Sequence, residues 1–264
     1  MARKSLSNVA RLIDQVKQEL PVEKSFLFDL QRSIEQDAKK SYRPPSKTYK
    51  PSSMHCVRNM YYQVIGADVS DSDSSYIGVG ICNSGTDIHL RVQTAVMHMI
   101  KNNIDCEFLD VAQFIEDRNL EYLRVVSKCG AETKLFYPAF NMSFMCDGII
   151  KYLGKYYILE IKTETSRKWF VRESVDKKHY LQATAYSMAF GINDVLFVYI
   201  SRDTLDMKAY ILTVTDDMKD LVVSRIEECN TAVANFKVPP IPTDLERSVC
   251  EYCNYKSRCR KDGG

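Results

Sequence analysis

The sequence has no long apolar run: the longest, Val195 to Ile200, is about six residues, far below the roughly 20 that cross a bilayer as a helix. It also has little charge of one sign in excess. Lysine and arginine number 36 against 34 aspartates and glutamates, a net charge of +2, so any affinity for a polyanion has to be local. No apolar block follows the basic start Met1-Ala-Arg-Lys, so the expectation is no secretory signal and a cytoplasmic protein, in the host cytoplasm if viral. No internal repeat is visible. What is present is a chain of 264 residues, 45% hydrophobic and 27% charged, enough for one substantial core with a small appendage. Its nine cysteines are an odd number in a reducing compartment, which points to metal ligands or buried thiols rather than disulfides.

Apolar residues recur at helical spacing from Ser5 to Lys40 (Val9, Leu12, Ile13, Val16, then Phe26, Leu27, Leu30, Ile34), with Pro21 separating two helices that read as packing material. Pro44, Pro45 and Pro51 mark an extended connector. Asp68 to Ser75 reads as a solvated acidic turn, without the spaced ligands of a calcium loop. Ser84 to Lys101 reads as a helix with Ile88, His89, Val92, Val96 and Met99 on its inner face. Strands are expected at Tyr122 to Lys128, Leu135 to Phe140, Ser143 to Tyr152 and Tyr156 to Thr163, then a helix at Val175 to Phe190. Strands at Val195 to Ser201 and Met207 to Val214 and a helix at Asp216 to Phe236 precede a proline-rich passage and a cysteine tail. The order implies an α/β mixed sheet flanked by helices, divided as an N-terminal helical extension and connector (1–53), a core (54–238) and a tail packed back on the core (239–264).

The chemistry concentrates around Asp147 and Glu160-Ile161-Lys162. Gly154 makes a turn, so the strand carrying Glu160 returns beside Asp147. Glu160 and Lys162, two apart on a strand, point to one face, and Ile161 to the other. The strand is otherwise apolar, and burying a carboxylate and an ammonium there is costly without partners. Either an internal ion pair or a hard divalent cation, Mg²⁺ or Mn²⁺, meets that need. His89 alone reads more readily as a core histidine than as a ligand, and Gln182-x-x-x-Tyr186 alone could simply be core.

Taken together, the order His89, Asp147, Glu160-x-Lys162, Gln182-x-x-x-Tyr186 resembles the RecB-like branch of the PD-(D/E)xK nuclease superfamily over Gly85 to Tyr186. The resemblance implies a restriction-endonuclease-like fold, with His89, Asp147, Glu160 and the carbonyl of Ile161 binding Mg²⁺ or Mn²⁺. It makes Asp147, Glu160 and Lys162 the catalytic residues, Lys162 positioning or deprotonating the attacking water, and has Gln182 and Tyr186 help hold DNA. Phe144 and Cys146 stand where that family often has glycine and proline, a change that leaves the ligands untouched.

Cys250-x-x-Cys253-x5-Cys259 supplies three thiols, and Cys56, directly after the connector, is the best fourth; Cys82, Cys106, Cys129, Cys146 and Cys229 read as buried thiols. Zinc competes for such a set. The spacing resembles the iron–sulfur staple of RecB-like nucleases, including the CRISPR-associated family and the AddB nuclease domain, and this implies a 4Fe-4S cluster on Cys56, Cys250, Cys253 and Cys259, structural first. Arg167, Lys168, Arg172, Lys177 and Lys178, interleaved with Trp169, Phe170 and Tyr180, read either as a solvated loop or as a surface for DNA backbone and unpaired bases. The expected function is a metal-dependent DNA exonuclease acting on single-stranded DNA or DNA ends, in repair, recombination, phage replication or CRISPR adaptation, with protein partners in those pathways. The alternatives are a non-cleaving DNA-end-binding module and a zinc-stabilised scaffold.

Overall fold

The computed structural model describes residues 21–40, 47–69, 74–130, 132–243, 245 and 247–263. In chain order its elements are α1 (Val22–Lys40), α2 (Val57–Val64), α3 (Tyr76–Met99), β1 (Cys106–Leu109), α4 (Val111–Asp117), β2 (Arg124–Cys129), β3 (Glu132–Tyr137), β4 (Met142–Phe144) and β5 (Gly148–Tyr152). There follow β6 (Lys155–Glu164), α5 (Ser166–Phe170), α6 (Tyr180–Phe190), β7 (Asp194–Ser201), β8 (Met207–Thr213), α7 (Asp216–Ala234), α8 (Arg247–Glu251) and α9 (Lys256–Lys261). The chain divides into two compact units, residues 1–43 with 73–82 and residues 44–72 with 83–264. Among the described residues no helix is long and apolar enough to cross a membrane.

In the smaller unit, α1 starts after Pro21 as the sequence predicts, with Glu23 in its first turn and Lys39 and Lys40 in its last, both suited to the helix dipole. No residue of α1 is buried, and Phe26, Leu27 and Leu30 are exposed, so the helix is not the packing material its periodicity suggests. The helix expected before it, and Pro44 and Pro45, lie outside the described residues.

In the larger unit a mixed five-stranded sheet runs in the order β1-β5-β6-β7-β8, antiparallel except for the parallel pair β6–β7, and a second antiparallel sheet runs β2-β3-β4. This is the α/β mixed sheet with flanking helices that the motif order implies. β6 is covered on both sides. Leu159 and Ile161 pack with Ile88 and Val92 of α3, whereas Ile158 joins Phe197, Tyr199 and the small residues Ala183 and Ala185 of α6 in the main core. Glu160 and Lys162 share the face of Ile158, as strand alternation requires. The parallel return from β6 to β7 needs a long crossover, and α5 and α6 supply it.

Three local departures from the sequence reading have physical causes. The helix expected at Ser84 begins at Tyr76, where the Ser75 hydroxyl accepts the Gly78 N–H at 3.1 Å, an N-terminal cap ahead of two helix-weakening glycines. The helix expected from Val175 begins at Tyr180, because Asp176 turns the chain through a short 3-10 segment by accepting the Lys178 N–H at 3.2 Å. The strand expected from Ser143 to Tyr152 is broken at Met145–Asp147, where the chain leaves the small sheet for the large one. Side chains take the carbonyls freed there: Tyr186 Oη donates to Met145 O at 2.8 Å and Gln93 Nε2 to Asp147 O at 2.8 Å.

Gly148 follows that break, and a Cβ on it would come within 2.5 Å of the Phe108 ring on the neighbouring strand β1. Gly148→Ala is therefore expected to push β5 away from β1 and lower stability by about 1–3 kcal/mol, read as a lower urea midpoint at unchanged slope. An unchanged midpoint would show that the Phe108 ring swings aside freely.

Candidate metal centre and cysteine cavity

Asp147 lies where α3, the β2–β3 hairpin and the middle of β6 meet. Its Oδ1 is 3.2 Å from His89 Nδ1, and its Oδ2 accepts the Ile161 N–H at 2.5 Å, which ties the acid to β6. The third member is Glu132, the first residue of β3. Ligand atoms of His89, Glu132 and Asp147 all lie within 4.8 Å of one another, an imidazole and two carboxylates suited to a divalent ion. Burial works against the His89 imidazolium, but Asp147 outweighs it and holds the ring above its ordinary pKa. Burial, then the charge of Asp147, raises Glu132. Two acids and a histidine held this close favour a cation among them.

Glu160 stands behind that group. It is buried, and burial pushes its carboxyl up, opposed by Lys162. Lys162 Nζ donates to Glu160 Oε1 at 2.5 Å and to Gln182 Oε1 at 3.1 Å, while Gln182 Nε2 donates to Glu160 Oε1 at 2.8 Å. Gln182 Nε2 also lies 2.9 Å from Tyr186 Oη, whose own proton goes to Met145 O. The sequence places Gln182 and Tyr186 on one helix face, and they are, but they are only 8% and 4% exposed. Their polar atoms are spent on the acid, the amine and the backbone. In this arrangement they hold Glu160 and Lys162 in place. Ile161 contributes its N–H to Asp147 and a fully buried side chain.

Of the basic segment, Arg167 and Lys168 are exposed. Trp169 is half-buried: its indole N–H donates to Tyr199 O at 3.1 Å, and Lys208 Nζ lies 4.4 Å from its ring centroid. These contacts anchor α5. Phe170, 79% exposed, is the aromatic that the segment offers to solvent. Arg172 grips Glu164 at the end of β6 through two bonds of 2.7 and 2.8 Å, with both side chains under 10% exposed, and stacks 4.2 Å from the Tyr199 ring centroid. Arg172→Met strands a buried carboxylate and is expected to cost about 3–5 kcal/mol of unfolding free energy, with Glu164→Gln/Arg172→Met recovering part of it. A double-variant loss equal to the sum of the losses in Arg172→Met and Glu164→Gln would show that the pair is not coupled.

Also in the larger unit, Cys56 precedes α2 and lines one cavity of about 340 Å³ with Cys250, Cys253 and Cys259. The helix after Cys56 bonds to the tail through its side chains. Buried Arg58 donates from Nε to Pro239 O at 2.7 Å and from Nη1 to Cys259 Sγ at 3.4 Å, Asn59 Nδ2 reaches Cys253 Sγ at 3.5 Å, and Tyr62 Oη donates to Asp262 at 2.8 Å. Burial pushes the Cys56 thiol up to about 11 and, with neighbouring Cys259 and Cys250, raises Cys253. Cys106, Cys146 and Cys229 are buried as expected; Cys82, on the early part of α3, is exposed and corrects that reading. The side chain of Cys129 lies outside the described residues.

Glu132 is the residue that sequence reasoning missed. It opens a strand of the second sheet after a turn through Gly130, and nothing local sets it apart from any strand-end glutamate.

No family model matches the sequence, and no curated protein does. Among solved structures the fold is similar to that of SSO0001, at 16% identity and a TM-score of 0.49 over 90% of this chain and 98% of that one. It is also similar to an alkaline exonuclease from Laribacter hongkongensis, at 10% identity and a TM-score of 0.43 over 73% of this chain and 92% of that one.

Proposed function

We propose that the chain is a Mg²⁺- or Mn²⁺-dependent deoxyribonuclease, an exonuclease acting on single-stranded DNA or DNA ends. The observation that carries this reading is the convergence of His89, Glu132 and Asp147 within coordination reach, beside the Glu160–Lys162 pair. The donor set fits a hard divalent ion, which when bound lowers the pKa of water and neutralises charge on a phosphodiester. His89, Glu132 and Asp147 hold the ion, and Glu160 with the carbonyl of Ile161 completes the set implied by the motif. Lys162, with two of its N–H groups on Glu160 and Gln182, keeps a third for the attacking water or a phosphoryl oxygen. Gln182 locks Glu160 and Lys162 in one geometry, and Tyr186 fastens Gln182 to the backbone at Met145. Arg167 and Lys168 meet the DNA backbone, while Trp169 sets the platform that carries them.

The same reading gives the four cysteines a 4Fe-4S cluster. Four soft thiols share a cavity, and N–H donors from Arg58 and Asn59 point at two of the sulfurs, as suits ligated thiolate. The pathway, whether repair, recombination, phage replication or CRISPR adaptation with protein partners, is read from the family resemblance. The test is purified protein with end-labelled single-stranded DNA and Mn²⁺, beside Asp147→Ala: shortening by the parent and not the variant supports hydrolysis. Bound but intact DNA in both would favour the non-cleaving end-binding module.

A further inference from the structure

Lys168, Arg172 and Lys178 all aim at one atom. Asp176 Oδ2 lies 3.0 Å from Lys168 Nζ, 3.4 Å from Arg172 Nη2 and 3.5 Å from Lys178 Nζ. Arg172 already has its own carboxylate in Glu164, so Asp176 is left to balance two ammonium groups with one charge. Burial first, then neighbouring Lys168, lowers Lys178. Burial, with the charges of Arg225 and Lys178, likewise lowers His55. The cationic pair opens into a cleft of about 500 Å³. Lys50 and His55 line it on the connector side, and Tyr252 and Asn254 on the cysteine tail, with no carboxylate in its wall among the described residues. Tyr252, 85% exposed, offers a bare aromatic face.

The geometry points to this cleft as a binding site for a nucleic-acid strand, with a backbone phosphate seated on the Lys168–Lys178 pair and a base stacked on Tyr252. An excess ammonium in a partly buried cleft is costly until an anion joins it, and phosphate with an adjoining π-face is what lysine, amide and tyrosine together recognise. The chain connects the cleft to the metal centre in short steps. Lys168 sits on α5, which follows the strand of Glu160 and Lys162, and Lys178 lies in the turn that leads into α6 and Gln182. The inference rests on the DNA reading of the site and adds where the strand goes.

Full-length protein in EDTA, so that no cleavage occurs, is titrated into a fluorescein-labelled single-stranded oligonucleotide across a KCl series. The Lys168→Ala/Lys178→Ala variant is expected to bind roughly ten-fold more weakly at moderate salt, its slope of log affinity against log salt falling by about 0.7 for the one lost phosphate contact on a single strand. Lys178→Arg should restore the slope. Tyr252→Ala, at a position too exposed to carry the fold, should weaken binding by a smaller factor with the slope unchanged. Parent-like affinity and slope in the lysine variant, with parent-like circular dichroism, overturns the cleft; if that variant unfolds, parent-like binding by Tyr252→Ala and by Lys50→Ala does so. Failure of the parent to cut DNA in Mn²⁺, with these binding effects intact, overturns hydrolysis and leaves the cleft standing.

Discussion

Lys162→Ala protein is expected to keep its fold and its affinity for single-stranded DNA and to cleave about 10²–10⁴-fold more slowly in Mn²⁺. The fold should survive because Lys162 is partly exposed and its loss leaves Glu160 one remaining side-chain partner, the amide of Gln182. The rate should not survive, because two fixed bonds, to Glu160 and Gln182, hold the amine beside the acids. Glu132→Gln separates metal binding from that role. It keeps the shape of the side chain and removes one of the charges facing His89 and Asp147, so Mn²⁺ affinity by calorimetry should fall at least about 10-fold. Saturating Mn²⁺ should then rescue part of the rate in Glu132→Gln and none in Lys162→Ala. Parent-like cleavage by Lys162→Ala would remove the pair from the chemistry, and parent-like Mn²⁺ affinity in Glu132→Gln would remove the hairpin from the metal centre.

The parts of this site that the sequence makes legible are those governed by short-range periodicity. Two-residue alternation on β6 puts Glu160 and Lys162 together and sends Ile161 into the packing with α3. The turn at Gly154 sets the pairing Gly148↔Leu159, which brings Asp147 beside Ile161. Helical spacing places His89 next to Ile88 and Val92, the residues that seat α3 on the sheet. What escapes depends on how separate elements pack. Glu132 reaches the centre only because the small sheet lies over it. β1 escapes because four residues are too short a run to show alternation, and the 7-residue helix α4 after it depends on Asp110 accepting the N–H groups of Ala112 and Gln113. Gln182, Tyr186 and Trp169 show the same limit in another form. Their residue types suit DNA, but a polar or aromatic side chain does not announce in the sequence whether it faces solvent or the interior.

The cysteine cavity leads to the second large effect. Cys253→Ser is expected to abolish the broad visible absorption of anaerobically purified protein, to lower bound iron, and to reduce thermal stability by more than any single surface substitution. Cys56 and the tail thiols lie at opposite ends of the larger unit's sequence, so a cluster joining them closes a very long loop. Such a closure restricts the unfolded chain by on the order of 4–5 kcal/mol in the loop-entropy model, a large share of the 5–15 kcal/mol typical of a domain. Without the cluster the tail retains its bonds to Arg58, Asn59 and Tyr62, so the core should still fold and the loss should show first as protease cleavage near Pro239–Pro242. The raised thiols of Cys56 and Cys253 add a condition: ligation must displace their protons, so reconstitution with iron and sulfide should grow more favourable as pH rises. Stoichiometric zinc in colourless parent protein would replace the iron–sulfur assignment, and a Cys253→Ser variant with parent-like melting and protease resistance would show that the side-chain bonds alone hold the tail.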